Sequence, residues 1–445
     1  MAEVTACSPG RCERLAESVN RTNTLTHRLS FAPMTDPSRT VPRWLHVWAV
    51  ATLVATFFLL ALGQLVTSFA AGMADPLWPT EPWYVFSTAT PAEKDRFRGE
   101  SAYFLEHSHR IFAYTVGGLM GVLALGLAVT EPRRRARWVV FGGLLVLIAG
   151  FAGFHYEMIA QNKLIVAGTL SRADIRVPLP GVSVALIGLA VALAVGVSGL
   201  HTRGGTLRLL GTLVLVAVMI QGLLGGVRVL LNELIGPDLA KIHGIFAQVV
   251  FGLLTAVAML SVRTTAPDRD GPESRKFARW SAILAALIFV QVVFGAFVRH
   301  DPTPLTQRLH MLTAFVAAAL AVWFLHAAFA TPDVRTRVSA FGWALSALLV
   351  LQVYLGVEAW LAKFGGGLFA EVKLTPHYIT IRTLHALVGS GLWAVALALA
   401  LRLRKPANAS SNTLEPNVSG RANAGAQAPV RTPEVAVSHL RGDAR

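Results

Sequence analysis

Apolar runs of about twenty residues recur along most of the chain, separated by short polar stretches. Each is close to the length a helix needs to cross about 30 Å of hydrocarbon. The first runs from Trp44 to Phe69 and the second from Tyr103 to Thr130. Others begin near Trp138, Pro180, Leu207, Leu239, Ala278, Leu305, Val338 and Tyr378, for about ten spans in all. Residues 1–43 are polar and lack apolar periodicity. Residues 405–445 are rich in Asn, Ala, Pro and Ser, so both ends are expected to be disordered tails. Between the first two spans, Gly72-Met73-Ala74-Asp75-Pro76-Leu77-Trp78-Pro79 reads as a folded loop with an interfacial aromatic anchor.

Composition supports the pattern. The 445 residues are 54% hydrophobic with mean hydropathy +0.54, too apolar for a soluble chain of this length, so the fold class is an all-α polytopic membrane protein. The net charge of +15 could point to nucleic acid. Its distribution argues otherwise, because the basic residues gather in short loops at Arg133–Arg137, Arg203–Arg208, Arg263–Arg279 and Arg335–Arg337 and at Arg402–Lys405. Those segments alternate as cytoplasmic loops should, which places both termini inside and leaves no part for nucleic acid. Two outer loops fit less well, one with Lys94, Arg96 and Arg98, the other with Lys163, Arg172 and Arg176. Cys7 and Cys12 are the only cysteines, so no disulfide framework is expected, and Cys-x4-Cys alone is weak for a metal. No secretory signal is evident, since the first run is long enough to remain a span.

Ionisable residues inside spans are functional candidates by default. Every even-numbered span enters from the outside, and four of them carry a histidine in the outer third: His109, His243, His310 and His385. His310 and His385 lie 75 positions apart, and His109 and His243 lie 134 apart. Removing an extra pair of spans at about 138–203 brings the second interval to about 68. Gln221-x3-Gly225, Gln291-x3-Gly295 and Gln352-x3-Gly356 repeat in odd-numbered spans, and the first span offers Gln64 with Ser68 in the glycine's place. Two similar four-helix units follow, residues 44–262 with the inserted pair and residues 278–404.

Two histidines from two helices of such a unit can hold a haem iron from its two axial sides. A porphyrin needs flat space beside each ligand, and position i+4 shares a helix face. That position holds Ala113, Ala247, Ala314 and Gly389, with further small residues at Gly117, Ala317 and Ala318. The other reading is close helix packing, with the histidines cross-linking helices by hydrogen bonds. His326 has the same neighbour pattern but lies near an inner end without a counterpart. His46, His155 and His201 read as interfacial or structural, and His300 and His377 as solvated loop residues that could also meet a propionate.

The halves differ in one acid. Glu106 and His109 are i, i+3 and share a face, whereas His107 points elsewhere. The matching stretch Gln307-Arg308-Leu309-His310 has no acid. Glu106 could move a proton or offset positive charge at a porphyrin edge, or simply pair with Arg110 at i+4. Arg110, Arg299, Arg308 and Arg382 could pair with propionates or snorkel to the interface.

Glu106-x-x-His109-Arg110, Lys241-Ile-His243-Gly-Ile-Phe-Ala-Gln248, Arg308-Leu-His310 and Leu384-His-Ala-Leu-Val-Gly389 resemble the haem A synthase family. Leu62-Gly63-Gln64-Leu65-Val66-Thr67 and the loop from Gly72 to Pro79 are similar to its first span and loop. The resemblance covers about Trp44 to Arg404 outside the inserted pair. It implies two pseudo-symmetric four-helix bundles. The first would hold the substrate haem O on His109 and His243, with Arg110 beside it and Glu106 catalytic. The second would hold haem b on His310 and His385. The reaction implied is oxidation of the C8 methyl group to a formyl group, giving haem A for terminal oxidase assembly. The setting implied is a multi-pass protein of the cell's inner (plasma) membrane. Membrane lipid, a haem O synthase and oxidase assembly factors are the expected partners, and the electron donor is not named. The chain departs from the family in lacking a cysteine pair between Ala71 and Glu100 and in its two extra spans.

Two other functions compete. A non-catalytic di-haem b electron-transfer protein would use the four histidines but give Glu106 no part. A transporter with histidine proton relays would need broken helices near mid-membrane.

Overall fold

The computed structural model describes residues 41–74, 77–80, 100–171, 174–262, 272–364 and 375–404. Both tails beyond residue 40 and residue 404, Cys7, Cys12, Lys94, Arg96, Arg98, Arg172 and the loop 263–271 lie outside the described residues.

Among the described residues there are ten helices long and apolar enough to span a membrane, and no β-strand. The protein is therefore an all-α, multi-pass membrane protein. The helices are α1 (Arg43–Ser68), α2 (Glu100–Val129), α3 (Arg134–Val166), α4 (Leu179–Ser198), α5 (Gly205–Ile235), α6 (Pro237–Leu260), α7 (Pro272–His300), α8 (Pro304–Ala330), α9 (Pro332–Phe364) and α10 (Pro376–Leu403). They begin a few residues before the apolar runs, because polar first turns are tolerated once the chain is helical. Five start at proline, whose missing N–H costs nothing in the first turn and whose φ is already helical. Thr303 closes a capping box with Thr306 ahead of α8, and the Thr375 side chain accepts from the Tyr378 N–H ahead of α10. No helix breaks mid-span among the described residues, contrary to the transporter reading.

Packing follows the inferred repeat. In the first half α1 lies against α2, α2 against α5, α5 against α6 and α6 against α1, closing a four-helix ring. In the second, α7, α8, α9 and α10 close the same ring. The inserted pair α3–α4 sits outside the first ring, α3 on α2 and α4 on α5. In lipid, helices gain little by hiding apolar surface from each other, so close backbone approach decides association. The α3–α4 pair shows this directly. A Cβ at Gly150 would stand 2.3 Å from the Ala185 nitrogen, and one at Gly188 would stand 2.3 Å from the Leu147 nitrogen. Neither could be accommodated without the backbones moving apart.

The halves meet where α10 and α7 face α1 and α6. Trp393 of α10 points the tip of its indole at Gly252 of α6, filling the space a side chain would need, and Phe289 packs against it at 5.2 Å. Arg299 of α7 donates to the Gln64 carbonyl at 3.0 Å and to Ser68 Oγ at 2.8 Å, and Ser68 pairs with Thr383 Oγ1 at 2.9 Å. Lys241 and Asp301 close another link at 3.1 Å. The tight side-chain cores, around Leu127 and Leu254 in the first half and Phe324 and Leu399 in the second, occupy the end away from the four histidines. At that end Glu131, after α2, accepts from Arg133 at 2.7 Å and pairs with Arg208 at 3.0 Å. Burial works to raise the Glu131 pKa, but the hydrogen bonds of Arg133 and the charges of Arg208 and Arg133 outweigh it, holding the carboxyl below the usual Glu value.

Candidate functional site

The end that carries the histidines is hollow. One cavity of about 1180 Å³, open in part to the surface, runs past His109, His243, His310 and His385. That exceeds the ~300–1,000 Å³ of an ordinary small-ligand pocket. Ala113, Ala247, Ala314 and Gly389, the small residues one turn beyond each histidine, all line it. Their size opens the wall beside each imidazole, as expected from the i+4 spacing.

Each imidazole has the same seat. A Cβ on the facing glycine would stand 3.1 Å from His109 Cε1 (Gly63), 3.3 Å from His243 Cε1 (Gly225), 3.2 Å from His310 Cε1 (Gly295) and 3.1 Å from His385 Cε1 (Gly356). In each ring the imidazole of one helix therefore lies against bare backbone of the helix before it. The glutamine one turn before the glycine ties the pair. Gln221 Nε2 donates to the His243 carbonyl at 3.0 Å, and Gln291 Nε2 to the His310 carbonyl at 2.9 Å. In α1 the equivalent positions are Leu59 and Gly63. This corrects the sequence register, which placed Gln64 and Ser68 there. Those two residues serve the seam through Arg299 instead.

The seats aim the rings. In His109, His310 and His385, Nδ1 is buried without a hydrogen-bond partner, and all three residues line the cavity. The ring centres of His310 and His385 stand 6.3 Å apart at 88°. A metal–imidazole bond is about 2 Å, so two imidazoles on opposite sides of one ion have centres about 6 Å apart. An edge-to-face ring contact has similar spacing, but here it coincides with an open cavity. Among the described residues no three His, Cys, Asp or Glu side chains converge. A histidine pair alone suits a metal whose other ligands come with it, as in a macrocycle.

Basic side chains gather between the pairs. Arg228, Arg299, His300, Lys363 and Arg382 line the cavity, and among the described residues none forms an ion pair with a carboxylate. Arg228 Nε and Arg299 Nε are buried without partners. Lys363 Nζ donates to the Val298 carbonyl at 2.6 Å, and Arg382 stacks on Tyr378 at 4.8 Å. Like charges inside a low-dielectric wall call for an anion, and carboxylates on a bound ligand would supply it.

Glu106 also lines the cavity, in the first half alone. Its Oε1 accepts from Arg110 Nη2 at 2.8 Å and from the Met73 N–H at 3.0 Å. Arg110 also donates to the Leu77 carbonyl at 2.7 Å and to Thr80 Oγ1 at 3.1 Å. The expected i+4 pair is thus real, and it is built into the loop that closes this end of α1. Trp78 of that loop is buried on Gly226, so it is a plug in the protein and not an interfacial anchor.

Several other expectations change. His300 is the last residue of α7 and faces the cavity, because the helix runs one turn past the apolar run. His155 is also on the cavity wall, among Trp78, Tyr114 and Phe151. Arg228 and Lys363 were not candidates from sequence; each lies at the histidine end of an odd-numbered helix, where only the neighbouring fold reveals its target. Arg308 is exposed, His377 is exposed beside Glu358 at 3.8 Å, His326 is exposed and His46 bonds Ser261 at 2.7 Å. His107 is buried against Tyr103, off the cavity. Compared with models of known protein families, with curated proteins and with solved structures, the chain gives no match.

Proposed function

We propose that this protein is a haem A synthase-type oxidoreductase that oxidises a porphyrin methyl group, through the alcohol, to a formyl group, a four-electron oxidation with dioxygen as the external oxidant. His109 and His243 would hold the substrate haem O, and His310 and His385 a resident haem b. The observation that carries the reading is the combination of four equivalent glycine-seated imidazoles on one cavity with a single acid, Glu106, in one half only. Bound haem iron supplies the oxidative and electron-transfer chemistry. The chain's own part is positioning and charge. The glycine seats fix the ring planes, and the small residues at i+4 leave room for the macrocycle. Arg228, Arg299, Arg382, Lys363 and His300 take the carboxylates, which anchors the ring's rotation. The loop with Trp78 keeps water from the first-half ring. Glu106, held by Arg110 and the Met73 N–H, offers a fixed carboxylate that offsets positive charge at the ring edge or passes on a proton.

On this reading the protein would sit in a cell's inner membrane with the histidine end outward and both termini in the cytoplasm, an orientation supported by the positive-inside rule. Haem O synthase and oxidase assembly factors are the partners such a role calls for. One observation favours a second reading. The four seats are so alike that a di-haem b electron carrier would need nothing more. Co-expression with a haem O synthase, followed by pigment extraction and mass analysis, separates the two. The synthase reading expects the formyl product. Haem O recovered unchanged from folded, haem-loaded protein would reject it.

A further inference from the structure

The two halves differ at their histidine ends in more than an acid. In the second half α7 and α8 are joined by Asp301–Thr303 alone, and Gln307 stands where the first half has Glu106. In the first half a long connection precedes α2, and residues 69–74 and 77–80 of it fold over the Glu106 end of that helix. The inserted pair packs against this half. Acid, loop and insertion therefore occur together.

The loop is strained and needs outside support. Ala70 and Met73 have φ of 52° and 75°, in the left-handed region that a residue with a Cβ occupies only where its surroundings enforce it. Yet Met73 donates its N–H to Glu106, and the Leu77 carbonyl and Thr80 Oγ1 accept from Arg110 Nη1. A loop that drifted would release both partners of the carboxylate. Glu106 is only as fixed as the loop.

The support comes from α3. Phe154, Met158 and Asn162 are i, i+4 and i+8, one stripe about 12 Å long on that helix. All are buried, and none lines the cavity. Phe154 and Met158 pack on Trp78, with the rings of Phe154 and Trp78 centred 6.1 Å apart. Asn162 Nδ2 donates to the Pro79 carbonyl at 3.4 Å. On its other side Trp78 meets bare backbone, since a Cβ at Gly226 of α5 would stand 2.3 Å from its Cδ2 and Cε2. The indole is thus clamped between α5 and α3. Helix α4 backs the clamp, because a Cβ at Gly181 would stand 2.6 Å from the Phe154 nitrogen, and Val182 joins the Trp78 cluster.

We propose that the inserted helix pair is a positioning element for Glu106. Phe154, Met158 and Asn162 fix Trp78 and Pro79. The Leu77 carbonyl and the Thr80 side chain then fix Arg110, and Arg110 with the Met73 N–H fixes the carboxylate. The proposal rests on the reading of Glu106 as the acid of the first-half site. The α3 side chains act on that site only through the loop, so they are positioning residues.

The test uses the full chain in lipid nanodiscs with both haem sites loaded. Phe154→Ala removes one jaw of the clamp, Asn162→Ala removes the Pro79 bond, and Phe154→Leu restores much of the apolar bulk. Leu144→Ala is the control. Leu144 is also buried on α3, but it packs with Val140, Leu147 and Ala192, about 15 Å along the helix from Phe154. Hydrogen–deuterium exchange of the peptide containing Met73 reads the loop. The infrared carboxylate stretch of Glu106, assigned by subtracting the Glu106→Gln spectrum, reads the acid. Formyl product per folded chain, in co-expression with a haem O synthase, reads the chemistry, and Soret titration with the substrate haem reads binding. Phe154→Ala should speed loop exchange about tenfold, shift the Glu106 band and lower product formation about 10–100-fold at unchanged haem affinity. Asn162→Ala should act in the same direction by less, and gives the answer if Phe154→Ala does not fold. Phe154→Leu should restore the band and most of the product. Unchanged loop exchange and an unmoved Glu106 band in the alanine variants overturn the positioning role. So does an equal loss of product in Leu144→Ala, which marks a general loss of packing. Formyl product surviving in Glu106→Gln overturns the catalytic reading instead, while the exchange and the infrared band still decide the clamp.

Discussion

Replacing Gly295 with alanine tests the seat under His310 alone. The added methyl carbon would stand 3.2 Å from His310 Cε1, against about 3.5–4.0 Å for a relaxed carbon–carbon contact. The ring must retreat by about 0.3–0.8 Å. It cannot do so freely, because Gln291 holds the His310 carbonyl at 2.9 Å and also bonds Thr313. A metal–imidazole bond near 2 Å tolerates about 0.2 Å of misplacement. The loss should therefore match that of other changes just behind a ligand, about 10–100-fold in affinity for the second-half haem. The first-half site, on other helices, should keep its affinity. Haem titration by the Soret band, with a haemochrome count after gel filtration, reads both. Gly142→Ala is the control, since its Cβ meets no atom within 4 Å and it lies off the cavity. Unchanged affinity in the Gly295 variant, or equal loss from both sites, would refute the idea that each glycine seats its own imidazole.

Other predictions follow from the same geometry. Glu106→Gln should abolish formyl product in the co-expression assay while both haem bands remain; retained product would remove Glu106 from the chemistry. Glu131 has its pKa depressed by Arg133 and Arg208, so its contribution to stability is present above the ordinary Glu value of about 4.3 and is lost as pH falls through the lower folded value. Glu131→Gln should thus lower the Tm at pH 7, with the difference from the parent shrinking as pH falls below the ordinary Glu value, and a constant Tm difference would refute the charge argument. Gly252→Leu drives a side chain into Trp393 and should cost at least the ~1–3 kcal/mol of an overpacked core, loosening the seam between the halves. Cross-linking of α6 to α10 would measure it, and undiminished cross-linking would count against the seam.

Much of the architecture could be read from residue pattern because each element has its own local signal. The spans declare themselves by length, and the paired rings by the spacing of four histidines. Ala113, Ala247, Ala314 and Gly389 were legible as cavity wall because i+4 fixes a helix face whatever surrounds it. The α1 register was not. Gln64 copies the repeated glutamine in type but sits five residues beyond the true position, Leu59, and only contact with His109 shows that Gly63 is the seat. His155, Arg228 and Lys363 were missed for a related reason. Their targets lie on other helices, and nothing in the sequence says that α3 faces α2 or that odd-numbered helices turn their histidine ends inward. Trp78 looked like an interfacial anchor because a loop tryptophan beside a span usually is one. Gly226, far along the chain, provides the flat backbone that buries it.

The central claim is that each histidine pair holds one porphyrin. The direct measurement is the haemochrome count per folded chain, made for the parent, for His310→Leu with His385→Leu, and for His109→Leu with His243→Leu. The account predicts two haems per chain in protein supplied with excess haem, falling to one in either double variant. A parent chain that binds none, or double variants that keep both, would contradict it.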